Sequence, residues 1–148
     1  MTDLADTLTE NAASLRELRA LVGRLTDADL AHPLEAGWTV GTALGHLAFW
    51  DMRAAVMADR WKLAGTASGL NIDDEGVNEA LEPLLLAASG RVLATMSLAA
   101  ASAVDTAIGR LQPELAALGF SGNHVFKTAR HEHRREHIDH IGRVLAGR

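Results

Sequence analysis

The sequence predicts an all-α fold: a four-helix bundle with additional short helices in the connections. Apolar residues recur every three or four positions through four long stretches, no segment alternates with period two, and no internal repeat or low-complexity tract is present. Helices patterned in this way bury their apolar stripes against one another. With 148 residues, 48% of them hydrophobic and 22% charged, the chain is long and apolar enough to build one core. Residues 1–148 are therefore read as a single domain.

The first long helix is expected from about Asp3, with Thr2 or Asp3 as its cap. Leu4, Leu8, Ala12, Leu15, Leu18, Val22 and Leu25 form its stripe. Residues 26–36 connect it to a second long helix, with Pro33 and Gly37 as punctuation. That helix opens after Thr39 and runs from about Val40 to Leu63, ended by Gly65. A polar loop, GTASGLNIDD, precedes a short helix from about Asp74 to Leu86, which Pro83 is expected to kink or divide. The third long helix, about Arg91 to Leu111, is rich in alanine. A proline-initiated turn at Pro113–Leu118 and the loop GFSGNH then lead to the fourth, expected from about Val125 to Leu145.

Bulk properties narrow the function. A net charge of −5 without a basic block argues against nucleic acid as a partner. The N-terminus lacks the basic and apolar regions of a signal peptide, so a cytoplasmic location is expected. The most apolar stretch, Leu81 to Ala103, is broken by Glu82, Pro83, Ser89, Gly90 and Arg91, and does not read as a membrane span. The absence of cysteine excludes disulfides, thiolate ligands and a protein thiol nucleophile.

The chemistry is concentrated in HEHRREHIDH, His131 to His140, where four of the seven histidines fall. On a helix, His137 and His140 lie about 40° and 20° to either side of His133, while His131 is about 160° away. His137 falls inside the apolar arc of Ile138, Ile141, Val144 and Leu145, and His133 falls at its edge. The charged residues Glu132, Arg135, Glu136, Asp139 and Arg143 mark the solvent side. A lone inward histidine is commonly a hydrogen-bonded core residue. Two at i and i+4 bring their imidazoles close enough to share a metal ion, though HRREH lacks the second-position glutamate of the zinc-protease motif HExxH. A metal site needs at least a third ligand. His46, near the middle of the second long helix's apolar face, is the natural one.

GWTVGTALGHLAFWD from Gly37, IDDEGVNEAL from Ile72 and HRREHIDHI from His133 together resemble the DinB-like superfamily, and more specifically the bacterial members grouped with mycothiol-dependent maleylpyruvate isomerases. The resemblance spans most of the chain. It implies a four-helix bundle, often a homodimer, that holds a divalent metal through one histidine of the second helix and an i, i+4 pair on the last. Carried over, these are His46, His133 and His137. It further implies a thiol-dependent transferase or isomerase, with mycothiol or another low-molecular-weight thiol as co-substrate. Two positions depart from the family pattern: Thr42 stands where an acidic residue is common, and His140 where an acidic or polar one is more usual. His140 is thus a competing ligand or a supporting group.

Three neutral imidazoles suit zinc, nickel or ferrous iron equally. With no cysteine in the chain, any thiolate at the metal comes from a diffusible thiol or the substrate, a small electrophilic molecule. Trp50, Asn78 and Arg134 are candidates for the pocket wall. Arg134 and Arg130 both fall inside the apolar arc of the last helix, where an arginine either binds a substrate carboxylate, pairs with an acidic residue of another helix, or lays its stem along the core with its head in water; Trp50 and Met57 have a plain core reading. His32, His124 and His131 are expected at the surface. Two other function classes stand beside the enzyme: a non-catalytic metal- or ligand-binding stress-response bundle, and a haem bundle. The second fits poorly, because an i, i+4 pair aims both imidazoles at one side of a metal.

Overall fold

A computed structural model describes residues 3–69, 72–119 and 125–148. Among them the chain is all-helical: α1 (Leu4–Arg24), α2 (Asp27–Ala31), α3 (Val40–Ala64), α4 (Asp74–Leu86), α5 (Gly90–Gly109), α6 (Pro113–Leu118) and α7 (Arg130–Ala146), with a 3-10 turn at Glu35–Gly37. The four long helices close a ring in which α1 packs on α5 and α7, and α3 packs on the same two.

The α3–α5 pair is the closest. A methyl group on Gly41 would stand 2.9 Å from the Gly90 Cα, so this position has no room for a side chain, and one on Gly90 would crowd Leu30 Cβ at 3.0 Å. Gly45, just before His46, receives Leu85 and Leu93 in the same way. α5 is long and apolar enough by length and composition to cross a membrane. Here Leu93, Ala94, Ala100, Ala101 and Val104 sink one face of it into the core against α3 and α1.

The core divides into two apolar clusters stacked along the bundle. One gathers Leu15, Leu18, Leu21, Leu44, Leu47 and Ile141; the other gathers Ala58, Trp61, Val104, Ile108, Leu115 and Phe126. Between them lies a polar layer to which every long helix contributes: Asn11 and Ser14 from α1, Asp51 from α3, Asp105 from α5, and Arg130 and Arg134 from α7. Arg134 is fully buried at its centre. It donates to Asp51 Oδ2 (3.1 Å), both Asp105 oxygens (2.7 and 3.1 Å), Ser14 Oγ (3.2 Å) and the carbonyls of Asn11 (3.0 Å) and Ala101 (3.1 Å).

Most predicted elements are found within a few residues of their expected bounds. Asp3 caps α1 by accepting from the Asp6 N–H; the alternative cap, Thr2, lies outside the described residues. α4 runs unbroken through Pro83 and buries none of its residues. The last helix starts at Arg130, five residues later than expected from Val125. Phe126 turns inward onto Trp61 (ring centroids 4.7 Å apart), and Asn11 Nδ2 takes the Thr128 carbonyl at 2.9 Å. The first turn of α7 is then capped from another helix, the His131 N–H donating to Asn11 Oδ1 at 2.9 Å. His131 is correspondingly half-buried against Asn11, and His32 is half-buried at the end of α2; neither is the surface residue expected. His124 and most of the GFSGNH loop lie outside the described residues.

Candidate metal centre

α3 begins with a reciprocal cap: Thr39 Oγ1 accepts from the Thr42 N–H (3.1 Å), and Thr42 Oγ1 accepts from the Thr39 N–H (2.7 Å). Thr42 thus does what a glutamate does in the usual capping box. Upstream, Ala36 and Gly37 both take positive φ, and Leu34 N–H donates to the Trp38 carbonyl (2.7 Å). The resulting turn sets Trp38 edge-on to His46 at 5.2 Å between ring centroids.

One and two turns into α3 and α7 the three histidines meet. Their ring centroids form a nearly equilateral triangle, 5.2 Å from His46 to His133, 5.1 Å from His46 to His137 and 4.8 Å from His133 to His137. Nε2 of His133 stands 3.2 Å from Nε2 of each of the others, and all three ligand atoms lie within 4.8 Å of one another. Nitrogens bound at 2.0–2.1 Å in a tetrahedral site are about 3.3 Å apart, so the set fits one small divalent cation.

The electrostatics agree. Burial lowers the pKa of all three: His46 to about 4 and His137 to about 4, each helped by a neighbouring histidine, and His133 to about 2, helped by His137, Arg130, His46 and Arg134. At neutral pH each imidazole is uncharged and offers a lone pair, the state a metal requires.

The outer partners are less usual. Asn78 lies close enough to His46 to favour its protonated form, yet among the described residues nothing reaches the buried His46 Nδ1 with hydrogen-bond geometry. His133 Nδ1 faces Arg130 Nη2 at 3.5 Å, a donor where metal-bound histidines ordinarily meet an acceptor.

His46 and His133 open on a cavity of about 680 Å³, which His137 does not line. Trp50 and Asn78 line it, joined by a 3.0 Å hydrogen bond from the indole N–H to Asn78 Oδ1 that ties α4 to α3. Arg53, stacked 6.0 Å from the Trp50 ring, Lys127 and Arg130 supply positive charge; Asp74, Glu132 and Glu136 supply negative charge. Arg134 is not among the lining residues: of its alternatives the structure realises the salt bridge to other helices, with Asp51 of α3 and Asp105 of α5, and not a place in the pocket wall. Burial alone would depress its pKa, but the carboxylates of Asp105 and Asp51 more than offset this and hold it above the ordinary arginine value. His140 turns away to Glu35, 3.6 Å distant, and is not one of the clustered ligands.

Arg130, placed by the sequence inside the apolar arc of the last helix, does line the cavity, whereas Asp51 and Glu136 did not stand out in the sequence. Asp51 had a signal: an acidic residue amid the apolar run LAFWDMRAAV must be paired if that face is buried. Glu136 sat on the face assigned to solvent, which is also the wall of the cavity.

In comparisons with known proteins, no family model, curated protein or solved structure matches the chain.

Proposed function

We propose that this chain is a DinB-like divalent-metal protein that uses His46, His133 and His137 to hold zinc, nickel or iron, and that it acts in the cytoplasm, as a homodimer, as a thiol-dependent transferase or isomerase of the mycothiol type. The observation that carries the reading is the convergence of three neutral imidazoles from two helices, two of which, His46 and His133, line an open cavity. The family assignment itself rests on the three sequence motifs.

A bound divalent ion with an open position supplies Lewis acidity, lowering the pKa of a coordinated thiol or water so that its anion exists near neutral pH. The chain's own residues do the rest. α3 and α7 hold the imidazoles in register through the Asp51–Arg130–Arg134 layer, so little reorganisation is needed on binding. Trp50, fixed by Asn78, gives the small electrophile a flat apolar wall, and the cavity positions it beside the thiol.

The outer partners favour a second reading, a non-catalytic metal- or ligand-binding protein of stress response. His133 faces a guanidinium and His46 Nδ1 has no partner among the described residues, which therefore do not give these two the support that tunes catalytic histidines. Turnover decides between them. Metal-loaded protein is incubated with a panel of low-molecular-weight thiols and small electrophiles, following thiol consumption and product mass. Metal-dependent conversion that His137→Ala abolishes supports the enzyme; metal binding with no conversion across the panel leaves the binding protein.

A further inference from the structure

We propose that the cavity beside the histidines takes a ligand bearing a carboxylate, and that Arg130 is the residue that receives it. The proposal rests on the metal reading for the ligand's other end, but on Arg130 alone for the carboxylate.

Arg130 opens α7, is only 7% exposed, and lines the cavity. Its guanidinium is anchored along one edge: Nε donates to Asp51 Oδ1 at 2.8 Å, and Asp51, fully buried, is held in turn by Arg134. The far edge is left over. Nη2 has only the 3.5 Å approach to His133 Nδ1, and Nη1, which has no partner among the described residues, is not fully buried, in a side chain that lines the cavity. A guanidinium carries five N–H donors, and here one is used at full strength. An uncharged ligand filling the cavity would strip water from the others without replacing it. A carboxylate satisfies two at once with charge-assisted bonds.

The charge around the site sets the kind of anion. Arg53, Lys127 and Arg130 are matched by Asp74, Glu132 and Glu136, and Asp51 already balances part of Arg130. Arg130 itself is one cation with Asp51 already on one edge, so its far edge matches the flat, two-oxygen face of a single carboxylate. Arg130 Nη2 lies across the His133 ring from the ligand nitrogens, at most about 8 Å from an ion bound there. A short molecule with roughly two or three carbons between its donor atom and its carboxylate spans that gap.

The test uses isothermal titration of 3-mercaptopropionate, 2-mercaptoethanol and propionate into metal-free and metal-loaded protein, with metal content measured alongside. Loaded wild-type protein should bind 3-mercaptopropionate at least about tenfold tighter than 2-mercaptoethanol. Propionate should bind both forms. Arg130→Gln should erase the carboxylate preference, bringing the ratio of the two thiols' affinities to about one at equal metal content. Equal affinities in wild type, or a preference that survives in Arg130→Gln, overturn the proposal and leave the metal reading standing. If the protein takes up no metal, the metal reading fails separately; propionate binding to the metal-free form, lost in Arg130→Gln, still supports the carboxylate site, and its absence overturns it. Should Arg130→Gln not fold, Arg130→Lys replaces it: a weakened preference supports the proposal, and an unchanged one refutes it.

Discussion

Replacing Arg134 with methionine should destabilise the bundle by about 3 kcal/mol, at the lower end of the 3–5 kcal/mol typical of breaking a buried ion pair. The structure places the value there. Arg134 and Asp51 are both fully buried, but Asp51 keeps Arg130 as a partner at 2.8 Å, and the Asp105 side chain is 17% exposed and can turn to water. The unpaired negative charge is therefore shared and partly hydrated, while methionine fills most of the arginine's volume and removes the donors to Ser14 and two carbonyls. Chemical denaturation of wild type and variant should show a lower midpoint at unchanged slope, and thermal unfolding a fall of roughly 6–12 °C. Asp51→Asn should cost a similar amount, because one amide oxygen cannot serve both Arg130 and Arg134, its NH2 group faces a guanidinium, and the buried negative charge between them is lost. Loss of less than about 1 kcal/mol in Arg134→Met would refute the argument that this layer holds the four helices in register.

Two further effects follow from the same structure. Thr39→Ala removes one half of the reciprocal cap on α3 and should cost about 1 kcal/mol by denaturation, with no loss meaning that Trp38 and the preceding turn hold the helix start unaided. In the metal-free protein, His46 and His137 titrate near 4 and His133 near 2, against an ordinary value of 6.5. As pH falls through 6.5 the unfolded chain takes up protons that the folded one does not, so stability should drop between about pH 7 and pH 4. Added divalent metal should oppose the drop at the upper end of that window, where protons compete least. A triple variant with His46, His133 and His137 changed to glutamine should lose this part of the pH dependence; an unchanged profile would place the sensitivity elsewhere.

The helices were legible because burial in a bundle repeats with the helical period, and α1, α3 and α5 follow that period throughout. The start of α7 was not, because what decides it is tertiary: Asn11, over a hundred residues away, takes the Thr128 carbonyl and caps the His131 N–H. The histidines were readable for the same reason as the helices. An i, i+4 pair on one helix and a single imidazole on an apolar face are periodic signals, and the structure brings His46, His133 and His137 to one point. The polar layer has no period. Arg134 lies within the apolar arc of α7, but its two carboxylate partners come from helices whose register with α7 no local pattern states. Glu136 shows the limit of a wheel, which separates inside from outside but cannot tell bulk water from a cavity wall.

Elemental analysis of untagged protein purified without chelator, with alanine variants of His46, His133, His137 and His140, tests the central claim most directly. The account predicts about one equivalent of zinc, nickel or iron in wild type, lost on changing His46, His133 or His137 and kept on changing His140, which faces Glu35. No bound metal even after reconstitution with each ion would contradict it, as would a His140 variant that loses the metal while the His133 variant retains it.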